Sequence, residues 1–218
     1  MSAEPEGSEV IDRGGARLAT HRVEALGDGI FAIAMTLLIL EFHVPELAGP
    51  SVSRTLGEAL VQMWPRLICY VMSFLILGVL WIGHHNQFHF IRRSDRHLLW
   101  INLGFLMSIA FIPFSTALLG RYHDERIAIE VYGTNLAVAG LTLYGHWRYA
   151  IRRGLTDRLD AGVDRMTGQR VLWGSAAYVV GMVVGFFRPG WALFVFAAIP
   201  FIYIPRGRID RYWIGGGS

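Results

Sequence analysis

A carboxylate, three histidines and a threonine stand within or beside stretches that are otherwise apolar. These are the residues able to do chemistry in this chain. Asp28 precedes the uncharged run Gly29 to Leu40, which contains Thr36 and closes on Glu41. A second run ends in Trp81-Ile82-Gly83-His84-His85-Asn86-Gln87-Phe88-His89. A carboxylate at the mouth of a membrane span is costly unless it is paired or hydrated. Asp28 therefore requires a partner, and Arg22 and the histidines are the candidates. His85 and His89 are four apart and share a helical face, as metal ligands would. The Glu of a His-Glu-x-x-His motif is absent, however, and no third ligand stands at a recognisable spacing, so no metal is assigned. The better reading is a hydrogen-bonded cluster of Asp28, Arg22 and the histidines that ties the two runs together. Histidines titrating near neutrality would make such a cluster responsive to pH.

The elements that must position these residues are apolar helices. The chain has 218 residues and is 53% hydrophobic, above the 45–50% usual for soluble domains. In lipid the backbone must satisfy its own hydrogen bonds, so long apolar runs read as helices. Six are expected: Ala25–Val44, Leu67–Ile91, Leu98–Gly120, Val131–Trp147, Val171–Phe187 and Pro189–Pro205. The last two are joined only by Arg188-Pro189-Gly190, a tight hairpin, and Pro113 is expected to kink the third. Residues 1–20 read as a flexible tail, 21–206 as the membrane domain and 207–218 as a second tail. Within it, Gly215-Gly216-Gly217-Ser218 has the look of an engineered scar.

All twenty basic residues are Arg, and they are unevenly placed. Arg13, Arg17 and Arg22, then Arg92, Arg93 and Arg96, then the stretch from Arg148 to Arg170, then Arg206, Arg208 and Arg211 fall on one side of the six runs. The opposite side has Arg54, Arg66, Arg121, Arg126 and Arg188. The positive-inside rule makes the richer side cytoplasmic, with both termini there. Basic residues confined to short loops are not a nucleic-acid footprint. The single cysteine, Cys69, builds no disulfide framework.

At about 100° per residue, Ile33, Thr36, Leu37 and Leu40 fall within one arc of the first helix. Asp28 lies well off that arc, so it is expected to point into the subunit's own bundle. The arc itself is either ordinary helix packing or a ring of apolar side chains around an oligomer axis, which would gate ions by dewetting. Glu41, with His43 nearby, could concentrate cations at the outer mouth. Spacing leaves these alternatives open.

Three ordered blocks bear on the choice. Arg22 is followed, after three intervening residues, by Leu26-Gly27-Asp28-Gly29 and then Ile30 to Glu41. The second block is Trp81 to Phe88, and the third runs from Asn102 through Pro113-Phe114-Ser115-Thr116 to Tyr122. Over residues 20–122 the chain resembles the transmembrane-protein-175 potassium channels of lysosomes and prokaryotes. That family's hallmark is Arg, three residues, Phe-Ser-Asp and usually Gly. Here Leu26 replaces Phe and Gly27 replaces Ser. The resemblance implies an all-α membrane protein of six helices per subunit, both termini cytoplasmic, assembled as a homotetramer in the prokaryotic plasma membrane. It implies a central pore lined by the first helix, potassium as the permeant ion and no cofactor. It carries the main constriction onto Ile33, and further pore positions onto Thr36, Leu37 and Leu40. Arg22, Asp28, Trp81, His84 and His85 carry over as a motif with a structural polar role. The competing readings are a proton-coupled secondary transporter, for which paired repeats and broken midplane helices are not evident, and a membrane metal hydrolase, for which the carboxylate ligand set is missing.

Overall fold

The computed structural model describes residues 6–42, 44–45, 52–156 and 161–203, all but isolated turns and one β-bridge being helical. Seven helices follow one another: α1 (Glu6–Leu40), α2 (Val52–Gln62), α3 (Trp64–Phe90), α4 (Arg96–Arg121), α5 (Arg126–Arg152), α6 (Ala161–Phe187) and α7 (Pro189–Tyr203). Four stretches are long and apolar enough to cross a bilayer: Thr20–Leu40, Trp64–Phe90, Arg96–Arg121 and Arg126–Arg152. Val171–Phe187 and Pro189–Phe201 are shorter apolar helices at the positions of the fifth and sixth expected runs.

Two features go beyond the sequence reading. Backbone helix begins at Glu6, within the segment read as a tail. The short α2 lies between the first two spans and was not anticipated. It is too short and too polar to register in a search for apolar runs. His43 and residues 207–218 lie outside the described residues.

The helix ends show why the chain turns where it does. Pro65 sits in the first turn of α3, where its missing N–H costs nothing. Asp95 caps α4 by accepting a hydrogen bond from the Leu98 amide at 2.8 Å. Gly154 takes the left-handed conformation, φ +64°, just past α5. That turn sends the chain back so that the Leu155 carbonyl accepts from the amides of Arg92 and Arg93 at 2.9 and 3.3 Å. An Ile91–Thr156 bridge completes the join. The end of α3, the start of α4 and the end of α5 are thus held together at one Arg-rich end of the molecule.

Successive spans joined by short loops pack as antiparallel neighbours, α4 against both α3 and α5, and α5 against α6. The core runs through Ile76 and Leu77 of α3, Ile109 and Ile112 of α4, Tyr132 and Leu136 of α5 and Phe196 of α7. Glycine permits close approach: Gly181 of α6 lies against the Phe196 ring, where a Cβ would collide. A polar seam crosses this core. The hydroxyls of Ser73 and Tyr132 are 2.9 Å apart, Thr116 donates to Ser73 at 2.9 Å, and Asn135 donates to Ser115 at 3.3 Å. Each buried hydroxyl or amide finds a partner, as apolar surroundings require.

Helix α1 stands apart. It packs on α3 and α4, and only 22% of its most apolar window is buried, against 56% in α4 and in α5.

Candidate pore helix and its polar anchor

Burial divides α1 lengthwise. Gly27, Phe31, Ala34 and Leu38 recur at helical spacing and are buried. On the other half, Ile33 is 60% exposed, Leu37 40% and Leu40 67%, with Thr36 exposed between them. The four residues of the expected stripe do share one face, and the subunit's own core leaves that face bare. An apolar face of this length, bounded along the chain by Asp28 and Glu41, calls for lipid, another subunit or a dewetted channel.

The Thr36 hydroxyl donates to the Ile33 carbonyl at 2.8 Å. Its proton is therefore committed to its own helix, and its oxygen lone pairs point outward. A hydroxyl held this way presents an acceptor to a cation.

Asp28 departs from expectation. It is exposed, not turned into the bundle. It lies about 130° around the helix from the stripe rather than opposite it, which places it at the seam with α3. There the Trp81 indole Nε1 donates to its carboxylate at 2.8 Å. Arg22 does not supply the partner. It is six residues away, about 120° around the helix, and makes no ion pair among the described residues.

The adjacent histidines point different ways. His85 stacks on the Trp81 ring at 5.6 Å and 21°, and its Nδ1 lies 2.9 Å from the Glu24 carboxylate. Trp81 and His85 therefore fasten α3 to two successive turns of α1. His84 is fully buried. Its Nε2 lies 2.8 Å from the Asn102 side-chain oxygen on α4, and its ring stacks on Phe105 at 5.2 Å. The edge of that ring meets α1 at Gly27, where a Cβ would fall 2.7 Å from His84 Cε1. His84 and His85 thus serve one cluster through different partners. Among the described residues no three His, Cys, Asp or Glu converge as a metal site would require. Glu41 is exposed at the far end of α1 and borders a small cavity with Arg66, Tyr70 and Arg121.

Several partners in this anchor were not singled out from sequence. Asn102 holds His84. His146 of α5 pairs its Nδ1 with Gln87 at 2.8 Å, and Gln87 donates to the Leu143 carbonyl at 3.1 Å. The available signal was the presence of single polar residues within apolar runs, each of which needs a partner. At the Arg-rich end, Tyr149 donates to Asp95 at 2.8 Å, and Arg153 approaches the same carboxylate at 3.8 Å. Partial burial works against ionisation of Asp95, but the Leu98 amide, the Tyr149 hydroxyl and Arg153 outweigh it and hold the pKa below the ordinary carboxylate value.

The family described as Endosomal/lysosomal potassium channel TMEM175 matches residues 22–113, the segment that contains Glu24, Asp28, Trp81, His84, His85 and Asn102. A potassium channel of Streptomyces collinus is 39% identical over 171 residues, 76% of this chain and 82% of that one. The chain belongs to the TMEM175 family. It is accordingly a multi-pass membrane protein of an ion-channel family and not an enzyme. Another relative, a potassium channel of Chamaesiphon minutus, is 36% identical over 176 residues, 77% of this chain and 84% of that one. The crystal structure of a lysosomal potassium-selective channel TMEM175 homolog from the same organism superposes with a TM-score of 0.73 at 28% identity, covering 85% of this chain and 96% of that chain. The human TMEM175 relative, an endosomal/lysosomal proton channel, is 30% identical over 143 residues, and the match spans 28% of its length.

Proposed function

We propose that this chain is one subunit of a homotetrameric potassium-selective channel that conducts passively through a pore lined by α1. The observation that carries the reading is the bare stripe of Ile33, Thr36, Leu37 and Leu40, on a helix that its own subunit covers on one side only. One such helix cannot enclose a pathway, so several copies must meet around an axis. Six membrane-spanning helices per subunit place both termini on the same side. The Arg-rich end, with Arg92, Arg93, Arg96, Arg152 and Arg153, is then cytoplasmic. Residues 21–206 form the channel domain, with cytoplasmic tails before and after it, and the membrane is the plasma membrane of a prokaryote.

In this arrangement Ile33 forms the narrow apolar neck. Shut, the neck excludes water and so blocks ions; open, it admits a partly hydrated cation. Potassium gives up water more readily than sodium, so partial stripping at the neck favours potassium. Thr36, one turn outward, offers the oxygen that its back-bonded hydroxyl leaves free and replaces part of the lost shell. No Thr-Val-Gly-Tyr-Gly carbonyl filter is present in the sequence. The anchor of Asp28, Trp81, His85 and Glu24 keeps α1 in register on α3, so the stripe faces the axis. Glu41 lies at the outer mouth, where a ring of carboxylates raises the local cation concentration.

The test is ion flux in liposomes made with purified protein. Passive potassium flux down its gradient, smaller sodium flux and unitary steps in planar bilayers are expected. Fixed stoichiometric coupling to protons would replace the channel by a transporter.

A further inference from the structure

We infer that Arg22 faces the permeation pathway, so that four guanidinium groups form a cationic collar at the inner mouth and restrict the supply of cations to the neck. This rests on the reading of α1 as the pore helix. The positions Arg22, Leu26, Gly29, Ile33, Leu37 and Leu40 follow one another at spacings of four, three, four, four and three. Such spacing keeps residues on one face, and α1 is helical throughout. Arg22 and Leu40 are eighteen residues apart, five full turns, so they share an azimuth. The intervening exposure agrees: Leu26 is 49% exposed, and Gly29 is exposed with no atom within 4 Å of an added Cβ. The bare stripe therefore continues inward past Ile33 to Arg22, which is itself exposed.

Neither neighbouring carboxylate neutralises it. Asp28 is engaged by Trp81 about 120° around the helix, and Glu24 faces His85 at 2.9 Å. Gly29 leaves a level without side chains between the neck and the collar. The collar lies about 16 Å along the axis from Ile33. Its field reaches the neck when the screening length is about 30 Å, near 0.01 M salt, and fails to reach it when that length is about 3 Å, near 1 M. Arg22 thus acts on supply and rectification, not on the dehydration step at Ile33.

The measurement is current through reconstituted channels, with potassium varied on the Arg22 side. At about 0.01 M potassium, Arg22→Gln should raise the current leaving that side by about two- to threefold, and Arg22→Glu by more. Arg22→Lys should keep the wild-type rectification, and all curves should converge near about 1 M. As a second route, Arg22→Cys channels are treated after assembly, from that side, with charged methanethiosulfonates. A cationic reagent restores the wild-type ratio and an anionic one raises it. The native Cys69 is buried and serves as the background control. Low-salt currents insensitive to the charge at position 22 would overturn the collar. So would equal losses of current at every salt concentration that Arg22→Lys fails to repair, since these mark a tie between subunits. If Ile33→Asn also leaves the current unchanged near 1 M, the pore reading itself has failed. A response at Ile33 with none at Arg22 removes only the collar.

Discussion

Replacing Gly27 by alanine adds one carbon to α1 at a point where His84 already fills the space. An ideal Cβ would lie 2.7 Å from Cε1 and 3.3 Å from Nδ1 of that ring. The ring has little freedom to retreat. It is held to Asn102 at 2.8 Å, stacked on Phe105 at 5.2 Å and 4.7 Å from the Phe88 ring. Overpacking of this kind costs about 1–3 kcal/mol. If the ring swings aside and the Asn102 contact is lost, a buried unsatisfied group adds about 1–3 kcal/mol. Alanine for glycine in a helix interior returns about 1 kcal/mol. The net loss is about 0–2 kcal/mol while the Asn102 contact holds and about 1–5 kcal/mol once it is lost, and each kcal/mol lowers the melting temperature by about 2–4 °C in a chain of this size. Melting of the detergent-solubilised protein, followed by intrinsic fluorescence, reads this directly. Gly29→Ala is the control for helix propensity, since nothing lies within 4 Å of its Cβ. In a His84→Ala background the Gly27→Ala change should cost nothing further, because the clash has gone. A Gly27→Ala protein melting at or above the wild-type temperature would refute the wedging of His84 against α1.

Ile33→Asn should raise basal opening or unit conductance, because a polar neck no longer dewets; single-channel recording reads it, and an unchanged record counts against the assigned stripe. Thr36→Ala removes the outward lone pairs and should lower the preference for potassium over sodium, measured as a shift of the bi-ionic reversal potential. Trp81→Phe deletes the indole donor to Asp28, a hydrogen bond to a charged group worth about 1.5–3 kcal/mol when well shielded and less at this exposed seam. Like Asp28→Ala, it should reduce the fraction of assembled oligomer on size exclusion more than the conductance of the channels that form. The folded Asp95 pKa lies below its ordinary 3.8. The stability its contacts contribute is therefore complete above the ordinary value and is lost as pH falls through the folded one. Amide exchange at Arg92 and Arg93 should accelerate in that acidic window, and Asp95→Asn should flatten the dependence.

The sequence by itself determined what is read along one dimension. Uncharged runs placed the long helices, because a backbone in lipid must satisfy its own hydrogen bonds. Arg placement sorted the loops into two ends, and the contacts of Arg92 and Arg93 with Leu155 bring two of those loop segments together. The spacing of Ile33, Thr36, Leu37 and Leu40 put them on one face before any neighbour was known, since helical azimuth follows from residue number alone. Tertiary structure alone decided which faces are covered and which partners meet. Asp28 was expected inside the bundle, but the positions of α3 and α4 leave it on the seam, where Trp81 reaches it. His84 and His85, adjacent in sequence, separate by about 100° and join different helices. Asn102 and His146 acquire their roles from helices whose register against α3 no local pattern encodes. Pairing across helices depends on relative rotation and height, quantities set by packing of the whole bundle. The short α2 escaped for a different reason: Val52, Leu56, Ala59 and Leu60 recur at helical spacing, a local amphipathic signal that a search for continuous apolar runs does not register.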